Sequence, residues 1–223
     1  MSGRLLAIGD IHGCYGPLRE LVEDKLQLTS EDTLVFIGDY IDRGPQSRDV
    51  LDYIIKLRES RYKIITLKGN HEWMLLKARQ EDVHLINWLY NGGHKTLDSF
   101  NVRHPDMIPD PYIEFCHNLE MFHQVGPFIF VHAGFNNDID DPFSDEHQMI
   151  WTRQEDCSHP LFAGKIIIHG HTVNSISDLQ YRMNTRSGII NIDTGCVYPH
   201  KSGCGVLSAV DLTNWELFSV SNK

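Results

Sequence analysis

The sequence predicts an α/β fold, and three observations carry that prediction. Short apolar runs rich in β-branched residues recur along the chain, helical spacing fills the gaps between the first of them, and most runs stop at glycine followed by Asp, His or Asn. Continuous apolar runs bounded by turn signals read as buried strands. Their alternation with amphipathic helices builds βαβ units and a largely parallel sheet with helices on its faces.

The first run, Leu5–Ile8, ends at Gly9 and Asp10. Pro17 then suits a first helical turn, and Leu18, Leu21, Val22 and Leu26 keep helical spacing behind it. The second run, Leu34–Ile37, is followed by a helix over Asp49–Arg58 with Val50, Leu51, Ile54, Ile55 and Leu57 on its apolar face. A third run, Ile64–Leu67, precedes Lys68, Gly69 and Asn70. From about residue 73 to 121 the pattern changes: Trp73, Leu76 and Ala78, then Leu85, Ile86, Trp88 and Leu89, are helically spaced, and His104–Pro111 reads as loop. This predicts a helical insertion within one domain spanning residues 1–223. Strands resume at Phe128–Val131 and Ile166–Ile168. The last three runs, Ile189–Ile192, Val206–Val210 and Glu216–Val220, are joined by short turns and are expected to pair antiparallel.

Composition narrows the function. A chain of 223 residues buries enough surface, roughly 70% of what its unfolded form exposes, to fold without disulfides or a structural metal. Thirty acidic against 20 basic residues give a net charge of −10, which repels nucleic acid and anionic lipid at long range. Neither is expected as a partner, and an anionic substrate must be attracted locally. No window approaches the roughly 18 apolar residues of a membrane span. The apolar run near the N-terminus is too short for a secretory leader, so a cytoplasmic location is expected. The five cysteines (Cys14, Cys116, Cys157, Cys196 and Cys204) are odd in number and form no CxxC pair, the pattern of reduced thiols. Histidine, at 13 residues, is the unusual component.

The histidines matter where they meet strand ends, since ligands of open α/β sheets bind outside the carboxyl ends of the strands. GDIHG supplies Asp10 and His12; GDYIDRG supplies Asp39, Asp42 and Arg43; KGNHE supplies Asn70 and His71; HAG supplies His132; HGH supplies His169 and His171. Each motif alone fits an ordinary turn or helix cap. Together they bring carboxylate, amide and imidazole donors in numbers sufficient for two ions, and such donors suit manganese, iron or zinc. Cysteine is absent from the set, which argues against a structural zinc site.

These motifs, with IWTR ending at Arg153 and IDTGC at Ile192–Cys196, resemble the signature of metallophosphoesterases of the phosphoprotein-phosphatase type, in the same order and separation from Leu5 to about Gly205. The resemblance implies a calcineurin-like fold, a β-sandwich of mixed sheets flanked by helices. It implies two divalent ions, manganese first, with iron or zinc compatible. Asp10, His12 and Asp39 would hold one; Asp39, Asn70, His132 and His171 would hold the other, with Asp39 bridging. His71 would be the general acid, oriented by Asp42. Arg43, Asn70 and Arg153 would contact the substrate phosphate. A hydroxide shared by the ions would attack directly, without a protein nucleophile. The substrate implied first is a phosphorylated Ser, Thr or Tyr of a protein. A small nucleotide, a symmetrical dinucleoside polyphosphate such as diadenosine tetraphosphate, is the alternative. A non-catalytic phosphate-binding module is disfavoured, because no ligand and no acid is missing.

Other residues take plainer expectations. His169 would share a face with His171 and reads as a packed, hydrogen-bonded histidine; Trp73, Trp88 and Tyr90 read as core. Gly92 and Gly93 read as a helix C-cap, with His94 near the mouth of the site. The acidic stretch Asn137–Asp145 reads as a solvated loop.

Overall fold

A computed structural model describes residues 3–153, 156 and 158–223; Cys157 lies outside them. Two sheets face each other. The first has five strands in the order β3 (Lys63–Thr66), β2 (Thr33–Phe36), β1 (Leu5–Ile8), β8 (Val206–Asp211) and β9 (Glu216–Ser221). β1, β2 and β3 run parallel, β8 runs antiparallel to β1, and β9 is antiparallel to β8. The second sheet orders β4 (Phe122–Val125), β5 (Phe128–Val131), β6 (Ile166–His169) and β7 (Ile189–Asn191). The architecture is therefore a sandwich of two mixed sheets.

Strand alternation fills the sandwich. Ala7, Val35, Ile37 and Val210 point inward from the first sheet and meet Phe130, Ile168 and Ile190 of the second, all fully buried. Their neighbours Leu6, Ile8, Leu34 and Phe36 point to the other face. There they are covered by α1 (Tyr15–Glu20), which continues as a π-helical turn over Leu21–Leu26, and by α2 (Ser47–Arg58). Each such side chain contributes roughly 1.5–3 kcal/mol through burial, so these two layers, and not surface ion pairs, hold the sheets in place.

Between β3 and β4 lie α3 (Asn70–Ala78), α4 (Asp82–Trp88), α5 (His94–Phe100) and α6 (Asp110–His117). The stretch read as loop at His104–Pro111 contains a 3-10 turn over Pro105–Met107 and the start of α6, with Pro111 in its first turn. Proline suits that position because the missing N–H has no intrahelical partner there. Gly92 and Gly93 do not end a helix. The backbone kinks at Gly92 (φ 106°) inside a π-helical turn, Leu89–Gly93, and continues directly into α5.

The final strands depart from expectation. Of the last three strands, β8 and β9 pair antiparallel with each other, whereas β7 joins the other sheet, parallel to β6. Parallel neighbours need a crossover, which α8 (Ile176–Thr185) provides through Leu179 and Met183, buried against the intersheet core. Two further short elements, β4 and α7 (Glu146–Trp151), have no counterpart in the sequence reading.

Candidate metal centre

The carboxyl ends of β1, β2, β5 and β6 converge where the two sheets meet, and the turns after them adopt unusual backbone. Among the described residues, His12, Asp39, Asp42, Arg43 and His171 are five of the nine non-glycine residues with positive φ. Left-handed backbone costs a side chain free energy and persists where surrounding contacts enforce it, often at functional sites. Here the enforcing contact after β2 is Glu72, fully buried on α3. Its carboxylate accepts N–H groups of Asp39 (3.0 Å), Tyr40 (2.8 Å), Ile41 (3.3 Å) and Gly69 (3.0 Å). Burial and the neighbouring Asp39 charge push Glu72 up to about 8, against the pull of those donors.

Asp39 is the hub. Its Oδ2 lies 3.4 Å from His12 Nε2 and 4.0 Å from His71 Nε2, while Oδ1 lies 3.5 Å from His132 Nε2 and accepts the His71 N–H at 3.1 Å. Two groups of donor atoms form around it, His12–Asp39–His71 and Asp39–His132–His171, each within 4.8 Å. Asn70 joins the second: its Oδ1 lies 3.0 Å from His132 Nε2 and 3.0 Å from His171 Nδ1. Asp10 stands beside them, 2% exposed, accepting the His171 N–H at 3.1 Å and so tying one sheet to the other.

The donor set fits cations. His12 and His132 place Nδ1 on the carbonyls of Ile41 (3.0 Å) and Ile37 (2.9 Å), which fixes the tautomer and turns Nε2 toward Asp39. Burial keeps both imidazoles below the usual histidine range, so a nitrogen lone pair of His132 faces the oxygens of Asn70 and Asp39. Three acceptors brought together without a shared proton repel, and a cation among them reverses the sign. Burial lowers His171 to about 3, leaving a neutral ring able to ligate. Asp10 is pushed well above the ordinary carboxylate range by burial and by the charges of Asp193 and Asp39, a strain that positive charge would relieve. Arg43 supplies some of it: Nη1 donates to His12 Nε2 at 2.7 Å, and the guanidinium carbon lies 6.0 Å from the centre of the Tyr198 ring.

His71 differs from the other imidazoles. Nδ1 pairs with Asp42 Oδ2 at 2.7 Å, and Nε2 is buried without a hydrogen-bond partner. Burial alone would lower this ring, but the Asp39 charge and the Asp42 hydrogen bond outweigh it and hold His71 above the ordinary value. Asp42 is itself buttressed by Trp88 Nε1 (2.8 Å to Oδ2) and Thr96 Oγ1 (2.6 Å to Oδ1). Trp88 is thus core by burial and also a hydrogen-bond donor to the site.

Of the residues expected from the sequence, Asp10, His12, Asp39, Asp42, Asn70, His71 and His132 are buried together, with Arg43 and His171 half-buried beside them. Arg153 is exposed at the rim. His169 does not join the donors: β6 ends there, and the turn through His171 (φ 67°) breaks the two-residue alternation that would have aligned them. His169 is buried and hydrogen-bonded to the backbone of Gly170 and Ala133, as expected of a packed histidine, although its Nδ1 has no partner. His94 is exposed, its Nδ1 3.4 Å from the carbonyl of Leu89. Sequence alone assigns Glu72, Trp88, Thr96 and Asp193 no role of their own at the site. Glu72 and Asp193 lie within KGNHE and IDTGC, and an acid in the first turn of a helix is a capping signal for Glu72.

The calcineurin-like phosphoesterase model matches residues 3–201. A symmetrical bis(5'-nucleosyl)-tetraphosphatase of Aromatoleum aromaticum is 33% identical over 132 residues, 58% of this chain and 44% of that protein. Serine/threonine-protein phosphatase 1 of Salmonella typhimurium is 42% identical over 86 residues, 39% of this chain and 37% of that protein. The chain therefore spans less than half the length of these curated relatives. A crystal structure provisionally assigned as a diadenosine tetraphosphatase superposes with a TM-score of 0.67 at 21% identity, covering 100% of this chain and 95% of that one. With a matching model over most of its length and the same fold, the chain belongs to the calcineurin-like phosphoesterase family.

Proposed function

We propose that the chain is a phosphoric ester hydrolase with a dinuclear metal centre, a reading carried above all by the position of Asp39 between two donor groups. Asp10, His12 and Asp39 would hold one ion, and Asp39, Asn70, His132 and His171 the other. Divalent ions held there supply Lewis acidity and make water a nucleophile near neutral pH. The protein's own residues do the rest. Arg43 and Arg153 orient phosphoryl oxygens as planar donors, and Asn70 adds an amide. His71, protonated through its pairing with Asp42, delivers a proton from Nε2 to the leaving oxygen.

The substrate divides between a dinucleoside polyphosphate and a phosphoprotein. The longer alignment, to a protein named as a symmetrical tetraphosphatase, supports the former; the higher identity over a shorter stretch, to a protein named as a protein phosphatase, supports the latter. Metal-loaded protein should be assayed on diadenosine tetraphosphate and on a panel of phosphoserine, phosphothreonine and phosphotyrosine peptides, with metal content measured in parallel. Two ions per chain and hydrolysis of at least one class are expected. No hydrolysis of either class with manganese, iron or zinc bound would refute the proposal.

A further inference from the structure

Beside the metal centre, on the outer side of the β6–β7 edge, a cavity of about 270 Å³ is bordered by Arg153, His169, Thr172, Asn174, Arg182 and Asn191. Three features set it apart. Among the described residues its lining carries two guanidinium groups and no carboxylate, on a chain of net charge −10. It is bordered by His169, 4% exposed, a neutral ring held by hydrogen bonds to the backbone of Gly170 and Ala133. Two of its polar groups are built in: Arg182 Nη1 donates to the carbonyl of Ile189 at 3.2 Å, and Asn191 is held by the Thr172 carbonyl (2.6 Å) and the Asp193 N–H (2.9 Å).

The cavity adjoins the place where a phosphoryl group would react. Thr172 directly follows His171 in the chain, and Trp151, two residues before Arg153, meets the His171 ring edge-on with centroids 6.3 Å apart. Its volume lies just under the roughly 300–1,000 Å³ of pockets that enclose drug-sized ligands. That is ample for a phosphoryl group, and the two guanidinium groups of the lining favour an anion.

We infer that this cavity is a second phosphate subsite, which seats a phosphoryl group of the substrate adjacent to the one cleaved and so selects phosphoanhydride chains over isolated monoesters. Arg153 borders the reacting phosphate and the subsite alike; Arg182 and His169 belong to the subsite alone. The inference rests on the proposed phosphoesterase reading of the metal centre and narrows its substrate class.

The test uses metal-loaded protein and inorganic tripolyphosphate, with orthophosphate as the single-phosphate control. Binding is followed by calorimetry and by inhibition of p-nitrophenyl phosphate hydrolysis. Tripolyphosphate should bind the wild type more tightly than orthophosphate. Arg182→Gln should weaken tripolyphosphate at least about tenfold, the scale of one charged hydrogen bond, and orthophosphate far less. Asn174→Asp supplies a second variant that places a carboxylate in the lining while keeping an acceptor for the Ser175 N–H, and should act in the same direction. In both, the ratio of kcat/KM on diadenosine tetraphosphate to that on p-nitrophenyl phosphate should fall. If the wild type hydrolyses p-nitrophenyl phosphate but both folded variants bind tripolyphosphate as it does, the subsite is overturned and the phosphoesterase reading stands. If calorimetry shows the loss while the wild type hydrolyses no phosphate ester, the subsite stands as an anion site and the phosphoesterase reading falls.

Discussion

At the scale of the residue, the donors near Asp39 divide by what lies behind each ring. His12 and His132 rest Nδ1 on backbone carbonyls, which favours neutral ligands, whereas His71 rests on a carboxylate, which favours a proton. His71→Asn should therefore leave metal content nearly intact and lower kcat roughly 100-fold or more, with metal analysis and steady-state rates as the paired readout. The pH dependence follows from the direction of the shift. An acid held above its ordinary value is active below its pKa and loses activity as pH rises through it. Asp42→Asn removes the charge that favours the imidazolium, so the alkaline limb of kcat should move to lower pH. A limb that stays in place would show that Asp42 does not set the protonation of His71.

At the scale of the element, the kinked helical run from α4 to α5 delivers Trp88 and Thr96 to the same carboxylate. Gly93 is essential to that run because a Cβ there would overlap the Trp88 ring. Gly93→Ala should cost about 1–3 kcal/mol through overpacking and depress kcat by displacing Trp88. Trp88→Phe keeps most of the apolar volume and deletes one donor to Asp42; a kcat loss of about tenfold is expected from one charged hydrogen bond. Unchanged kcat in folded Trp88→Phe protein would reduce the tryptophan to packing. A second clamp joins β1 to the turn before β2. Asp32, 4% exposed, accepts Arg4 N (2.8 Å), Arg4 Nη2 (2.7 Å) and Thr29 N (2.9 Å). Burial opposes its ionisation, but these hydrogen bonds prevail and hold it well below the usual carboxylate range. Its contribution is thus present above the unfolded value of about 3.9 and lost as pH falls below it. Asp32→Asn should destabilise the protein at pH 7 by about 1–3 kcal/mol, and denaturant melts should show the gap closing in acid.

At the scale of the whole molecule, the metal centre is also a seam between sheets. Asp10 of the first sheet accepts the His171 N–H of the second, and His132 of the second meets the Ile37 carbonyl of the first. Ions bound there should stabilise the sandwich as a unit by linkage, about 2.7 kcal/mol at a concentration 100 times Kd. For a chain of this size that corresponds to a rise in Tm of roughly 5–10 °C. Chelator-treated protein should melt lower and recover on adding manganese or zinc. Identical melting with and without ions would argue that the donors do not bind metal in the folded state.

Much was legible in the chain itself because period and residue type are local. Runs such as Leu5–Ile8 and Ile166–Ile168 announced strands, and the Gly-Asp and Gly-Asn endings announced donors in the order in which the fold presents them. Sequence by itself determined the α/β class, the family resemblance and which side chains stand at strand ends. Only the tertiary structure decided that β7 leaves its neighbours for the second sheet, since strand pairing depends on a crossover helix and not on the strand's own three residues. Only it decided that Asp42 is braced from 46 and 54 positions away, and that His169 turns from His171 toward a basic cavity. Those contacts join segments remote in the chain, and packing creates them without leaving a pattern in the sequence on either side.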